Sequence, residues 1–435
     1  MGNLYDLITG DEDARVCKDI PAASCHDQPR NFFAYLGANL LTKVADELGS
    51  AKLILPWLFG VIGAPAGLVG LLVPIREAGV LLPQLAVAAY IRLLPIRKGV
   101  WILGALLSAA SLALMALAAA TLTGALAGGV IVALLLLFSL SRGLASVAAK
   151  DVLGKTVSKA RRGNLMGLSA GIAGALTLVL GLYLELATGF STGFSTGVFV
   201  SLLGGAALIY ILAALLFQFI AEQPGATTGG GNALDSARQS IALLRTDPGF
   251  GHFVLVRIAL LSVALAPPFY VLLAQAASGG NIAGLGAMII ASGLASSLSA
   301  PLWGRLSDRS SRLVMVLSAL LAGLLGVLTY GLYRLDGGLL ASPLAFAGLF
   351  LVLNVAHAGV RLGRKVYLVD MASSDTRAAM VAVSNTVIGV AMLGGGLIGI
   401  LGDLYDAATV ILILGLGALG AGLYALALKE VSEPA

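Results

Sequence analysis

Residues 43–52 read KVADELGSAK, four charged side chains in ten positions, and run directly into LILPWLFGVIG at 53–63. In an ordinary chain this would be a surface segment. Here it decides the fold: the segment is either the polar lead-in to a membrane helix or part of one that carries its charges into the bilayer.

The surroundings settle the class. Of 435 residues, 58% are hydrophobic and 11% charged, with a mean hydropathy of +0.97, values that a water-soluble domain does not sustain. The apolar residues recur in runs of roughly 20 to 27, each long enough to cross ~30 Å of hydrocarbon as a tilted helix. Strand-like alternation is absent, which argues against a β-barrel. The reading is therefore an all-α, polytopic membrane protein with the lipid bilayer as its solvent.

The first thirty residues differ. Asp6, Asp11, Glu12 and Asp13 stand where a signal peptide needs a basic start and an apolar stretch, so 1–30 is read as a retained cytoplasmic tail. Cys17 and Cys25 both fall in it and are read as free thiols; even with His26 they lack a tetrahedral ligand set, so no metal and no cofactor is expected. The formal net charge of +5 comes from short basic clusters scattered between apolar runs. That pattern orients a membrane chain and excludes nucleic acid as a partner.

Spans are placed at 32–59, 67–93, 99–121, 127–151, 164–188, 197–221, 251–275, 283–303, 313–333, 342–366, 381–402 and 408–428. The longest polar connection, EQPGATTGGGNALDSARQSIALLRTDPG, follows the sixth and reads as a linker. The expected organisation is a tail (1–30), a six-helix half (31–222), a cytoplasmic linker (223–250), a second six-helix half (251–428) and a short C-terminal tail (429–435). Loops after even spans hold Arg92, Arg97, Lys98, Lys155, Lys159, Arg161, Arg162, Arg305, Arg309, Arg312 and Arg377, whereas loops after odd spans hold Arg334 alone. Basic residues collect on the cytoplasmic side, so both termini are predicted there, most simply in a bacterial inner membrane.

A repeat underlies this layout. Ser139, Arg142, Ser146 and Lys150 lie at i, i+3, i+7 and i+11, one helical face of span four. Shifted by 215 positions they become Asn354, His357, Arg361 and Lys365 in span ten; the same shift carries Arg97 onto Arg312, and a shift of 214 carries Lys43 onto Arg257. A parallel duplication about an axis along the membrane normal accounts for the match and sets paired helices around a central cavity.

With these features, and with GRLSDRSSR at 304–312, the chain resembles the major facilitator superfamily of secondary transporters over nearly all its length beyond the tail. The resemblance implies that Gly304, Asp308, Arg309 and Arg312 latch neighbouring helix ends on the cytoplasmic side and gate one access state. Ser311 replaces the usual second glycine, and the first-half equivalent AYIRLLPIRKG lacks the motif's leading glycine and its aspartate. KARRGNLMGLSAG at 159–171 also resembles the family's loop into span five. There Gly163, Gly167, Gly171, Gly174 and Gly181 are read as close-packing surfaces; with no proline among them, the antiporter pattern of the family is not indicated.

The opening segment now has a depth. From a start near Phe32, a rise of ~1.5 Å per residue puts Lys43 about 16 Å in and Asp46 with Glu47 about 21 Å in. Arg76 and Glu77 lie about 14 Å below the opposite face, and Arg142 reaches similar depth. Isolated charges there cost several kcal/mol each, so these six should face one another, water or solute. They form either a structural ion network or a switch in which one carboxylate, Asp46 or Glu47 before Glu77, exchanges a proton during transport. Lys52 and Asp151 are expected to snorkel to the interface.

The second half reads differently. Arg257, His357 and Arg361 have no acid at comparable depth, Asp370 and Asp403 being near span ends. Excess positive charge favours an anionic solute, bound by Lys43, Arg76, Arg142, Arg257, Asn354, His357 and Arg361. His357 alone would be read as a satisfied buried histidine. Pro267 and Pro268 should kink or break span seven. No phosphate loop, metal-ligand pair or activated nucleophile stands out, so no enzyme is expected. The sequence thus points to a proton-linked transporter of a small, anionic organic solute by alternating access; an exporter of amphipathic compounds, and a non-transporting assembly factor or sensor on the same fold, are the alternatives.

Overall fold

The computed structural model describes residues 20, 22–91, 93–188, 196–225, 227, 244, 246–277, 283–335, 340, 342–372 and 377–431. The tail before residue 20 with Cys17, the loop residue Arg92 and most of the linker over 223–250 lie outside them. Among the described residues every element is a helix, and twelve spans can be traced.

Spans three to ten and twelve, span seven apart, are single helices: Lys98–Thr121, Gly124–Thr156, Lys159–Thr188, Thr196–Gln218, Ala283–Ser307, Ser311–Leu335, Pro343–Met371 and Ala407–Ala425. Four spans are interrupted. Span one consists of Gln28–Leu48 and Ile54–Ile62, where a continuous helix over 32–59 was predicted. Glycine and serine at 49–50 are poor helix residues, and the non-helical Gly49 ends the first piece. Span two, Ala66–Leu81 and Gln84–Ile91, breaks at Pro83, which has no N–H to give and crowds the residue before it. Span seven falls into Pro248–Ala259, Leu261–Leu265 and Pro267–Ala277, as the paired prolines require. Span eleven passes from Arg377–Gly395 through a 3₁₀ turn, Gly396–Ile398, into Gly399–Leu404.

The two halves repeat one packing scheme. Span three lies against four and six as span nine lies against ten and twelve, and span two meets four as eight meets ten. Across the halves, two packs on eleven, five on eight and one on seven. Leucines such as Leu103, Leu117, Leu208, Leu215, Leu324 and Leu416 remain exposed on the outer helices, the apolar rind that lipid covers.

The halves meet at the end opposite the termini. A Cβ on Gly70 would lie 2.6 Å from the Gly399 Cα, so spans two and eleven touch backbone to backbone. Asp403 Oδ2 accepts from the Gly67 amide at 2.8 Å, at the start of span two. Gln275 Nε2 donates to the Trp57 carbonyl at 3.2 Å. Along span five, Gly181 lies against Ile289 and Ile290, but Gly163, Gly167, Gly171 and Gly174 have nothing within 4 Å where a Cβ would be. Close packing expected of all five glycines is therefore found at Gly181 alone; Gly163, Gly167 and Gly171 are exposed.

One expectation about the tail is corrected. Cys25 is disulfide-bonded, and no free cysteine occurs among the described residues. The chain's other cysteine, Cys17, is outside them.

Candidate functional site

Asp46 is the hub of the chamber. It lies near the end of the Gln28–Leu48 helix, just before the break at Gly49. Its Oδ2 accepts from Arg142 Nη2 at 2.7 Å; its Oδ1 accepts from Arg76 Nη2 at 3.2 Å and from the Tyr210 hydroxyl at 2.7 Å. Spans one, two, four and six thus converge on one carboxylate. Aromatic rings back the two cations: Arg76 lies 5.1 Å from the Phe138 ring centre and Arg142 5.4 Å from that of Tyr210. The Arg142 Nε is buried and has no hydrogen-bond partner.

Burial shows what these groups face. The Asp46, Arg76 and Arg142 side chains keep 23%, 22% and 19% of their surface accessible. Side chains halfway along spans that point inward yet stay accessible line a space water can enter. This is how membrane proteins carry ionised groups at depth.

Further pairs extend the network toward the second half. Lys52 Nζ lies 3.8 Å from Glu77 Oε1, which corrects the expectation that Lys52 snorkels to the interface: the break at 49–53 turns it inward. Glu47 lies within electrostatic reach of Lys43, Lys52 and Arg361, and Glu77 within reach of Arg76, Arg361 and Arg364. His357 is surrounded by Lys52, Arg361 and Arg364. Arg257 is buried in span seven; its Nη1 donates to Ser384 Oγ and its Nη2 to Asn385 Oδ1 at 3.5 Å, while its Nε has no partner. Asn354 stands apart, its amide donating to the Phe350 carbonyl one turn back in its own helix.

The end bearing the termini carries a second set of charges. Arg312 donates to the Leu428 carbonyl at 2.9 Å and pairs with Glu430 at 3.4 Å, holding the segment that follows span twelve. Asp308 and Arg309 are exposed and Gly304 faces open space. In the first half, Arg97 bonds Asp151, and the fully buried Glu222 accepts from the Arg97 and Lys98 amides at 2.9 and 2.6 Å and from Lys155 at 3.0 Å. Asp151 is thus ion-paired at the end bearing the termini. Asp151 in span four and Glu222 after span six bond the side chain and the backbone of Arg97.

Tyr210 and Arg364 escape a reading of the sequence. Tyr210 is a lone hydroxyl in an apolar span, 164 residues from its partner. Arg364 has no counterpart in the first half, where the 215-residue shift meets Ala149; its only signal is being a third cation within two turns of Arg361.

No protein-family model and no curated protein sequence matches the chain. Solved structures do. A D-xylose–proton symporter aligns over 93% of this chain and 99% of its own with a TM-score of 0.71 at 15% identity. The nucleoside transporter NupG covers 91% and 99% with 0.69 at 15% identity. A POT family transporter in complex with 5-aminolevulinic acid covers 95% and 98% with 0.71 at 14% identity. The fold is that of the major facilitator superfamily. At such identities the likeness carries the fold and no residue's role. Glu47 and Glu77, beside the Asp46 network, lie within electrostatic reach of Arg361, which puts the network on the side of the first half that faces the second.

Proposed function

We propose that this chain is a proton-coupled secondary transporter of a small organic anion, with both termini in the cytoplasm of a bacterial cell and its spans in the inner membrane. The observation that carries the reading is Asp46, a single carboxylate shared by Arg76, Arg142 and Tyr210 inside a water-accessible chamber. Ionised, it neutralises one of the two arginines. Protonated, it releases both, and their guanidinium forks suit a carboxylate or phosphate group. Proton and anion therefore favour each other's binding, which is the thermodynamic basis of symport.

With the basic loops placed in the cytoplasm, the state described is open inward. Spans two and eleven, one and seven, and five and eight close the outer end, and rocking of the halves would open it while bringing spans five and eight together inside. The D-xylose–proton symporter among the structural neighbours supports the choice of coupling ion; the neighbours' D-xylose, nucleoside and 5-aminolevulinic acid support small organic cargo without pointing to its charge.

The test is uptake into proteoliposomes under an imposed pH gradient. The wild type should accumulate a radiolabelled organic anion when the gradient is present, and Asp46→Asn, inserted at the same level, should not. Accumulation by Asp46→Asn equal to that of the wild type would remove the coupling role; no flux of any solute by the wild type would remove the transporter reading.

A further inference from the structure

The chamber's charges are unevenly shared between the halves, and the imbalance narrows the cargo. In the first half each cation has an acid: Asp46 answers Arg76 and Arg142, Glu77 answers Lys52, and Glu47 lies within reach of Lys43. The second half contributes cations alone. Among the described residues no carboxylate pairs with Arg257, whose guanidinium is buried, bonded only to Ser384 and Asn385, and left with an orphan Nε. The charged group near it is another cation, Arg364. Arg364 in turn has Arg361 beside it and a single acid within reach, Glu77, which is already engaged by Lys52 and approached by Arg76 and Arg361.

Neighbouring guanidinium groups repel, and Arg257 is withdrawn from bulk water without a counter-charge, at a cost in free energy, while Arg364 is half-buried and Arg361 exposed. A span set that retains such a cluster needs anionic charge from outside the chain. A single negative charge is already supplied for on the first-half side once Asp46 takes its proton. The cluster on spans seven and ten needs charge of its own.

We infer that Arg257, Arg361 and Arg364 form an anion-docking site in the second half and that the cargo is an organic dianion, a dicarboxylate or a phosphate ester. The inference rests on the transporter reading for what becomes of the bound solute, but not for its binding. Arg364 is the residue that sets the charge preference, because it joins Arg257 to Arg361 and has no acid to itself. Planar, two-pronged donors side by side match the paired oxygens of carboxylates and phosphates.

The experiment is thermal unfolding of the full-length protein in detergent, at one pH and matched ionic strength. The probes are succinate and glycerol phosphate as dianions, butyrate as a monoanion, and xylose and uridine as neutral solutes. A ligand that binds only the folded state raises Tm with concentration. One or both dianions should do so at concentrations at least about tenfold below any effect of butyrate, and the difference between succinate and glycerol phosphate tells which anionic group is the native one. In Arg364→Gln the dianion affinity should fall about tenfold or more while butyrate is unaffected. Arg364→Lys, which keeps the charge and loses the fork, should fall between and serves if the glutamine variant does not fold.

Equal effects of dianion and monoanion, stabilisation by neither dianion, or an Arg364 variant that binds dianions as the wild type does, each overturns the inference. Stabilisation by xylose or uridine alone overturns it too, yet leaves transport intact. Dianion binding without flux in proteoliposomes removes the transporter reading and leaves the docking site standing.

Discussion

Glu77 shows how the value of one charge depends on the company it keeps. With 41% of its side chain accessible it is not sealed in, and its contact with Lys52 at 3.8 Å is loose, so the pair by itself contributes little to stability. Its surroundings differ from those of its partner. Glu77 is approached by Lys52, Arg76, Arg361 and Arg364, so removing Lys52 leaves it three cations. Lys52 is approached by Arg361 and Arg364 and, besides Glu77, by Glu47. Removing Glu77 therefore leaves a cluster of like charges with one fewer acid. Glu77→Gln should lower Tm clearly, by an amount corresponding to about 1–3 kcal/mol, Lys52→Met should change it by less than about 1 kcal/mol, and the double variant should recover part of the Glu77→Gln loss. Thermal unfolding of the three variants in one detergent measures this. Equal losses in the two single variants would show that Glu77 serves Lys52 alone and that the second-half arginines do not reach it.

Elements were legible in the sequence to different degrees, for physical reasons. Long apolar runs announce helices because the bilayer leaves the backbone no other way to bond, and basic loops announce orientation. The prolines at 267–268 announce the break they cause. The breaks at 49–53 and 82–83 are quieter, since Gly49 and Ser50 sit in a segment already polar and Pro83 in an apolar run, and hydropathy registers neither change of direction. The misplacement of Lys52 at the interface follows from that silence. Tyr210 and Arg364 were hidden because side chains acquire partners only when distant spans meet, and a repeat search cannot find what the other half lacks.

The end opposite the termini carries a feature visible only in three dimensions, the backbone contact of Gly70 with Gly399. There is no room for a side chain: a Cβ on Gly70 would also meet the Gly396 carbonyl at 2.8 Å, and backbone does not yield as a flexible side chain does. Gly70→Val should push spans two and eleven apart and shift the population toward the state open at that end. A cysteine placed at Ser146, on the Arg142 face toward the termini, reports the change: labelling by a membrane-impermeant maleimide from the termini side should be slowed several-fold in the Gly70→Val background, about 1 kcal/mol or more of shift in the two-state balance. Unchanged labelling would mean that this contact does not gate access.

At the scale of the whole molecule, the duplication makes the two halves alike in packing and unlike in chemistry. Spans four and ten present the same face, yet Arg142 answers to Asp46 while the span-ten arginines answer to no acid of their own half. A symmetric frame with asymmetric charge is suited to holding a proton on one side of the chamber and an anion on the other. Linkage then makes a quantitative demand: if protonating Asp46 raises anion affinity by some factor, bound anion raises proton affinity by the same factor. Asp46→Asn imitates the protonated carboxylate in charge and shape, freeing Arg76 and Arg142 permanently. Affinity for the ligand's dianionic form should rise in the wild type as pH falls, and should be tight and flat in Asp46→Asn, over the pH range in which both proteins stay folded. Isothermal titration of succinate or glycerol phosphate into both proteins across that range makes the comparison. If Asp46→Asn keeps the wild-type slope, the proton that couples to the anion resides elsewhere, on Glu47 or Glu77, the two acids that lie within reach of the second-half arginines, and the coupling site moves from the first half to the seam between the halves.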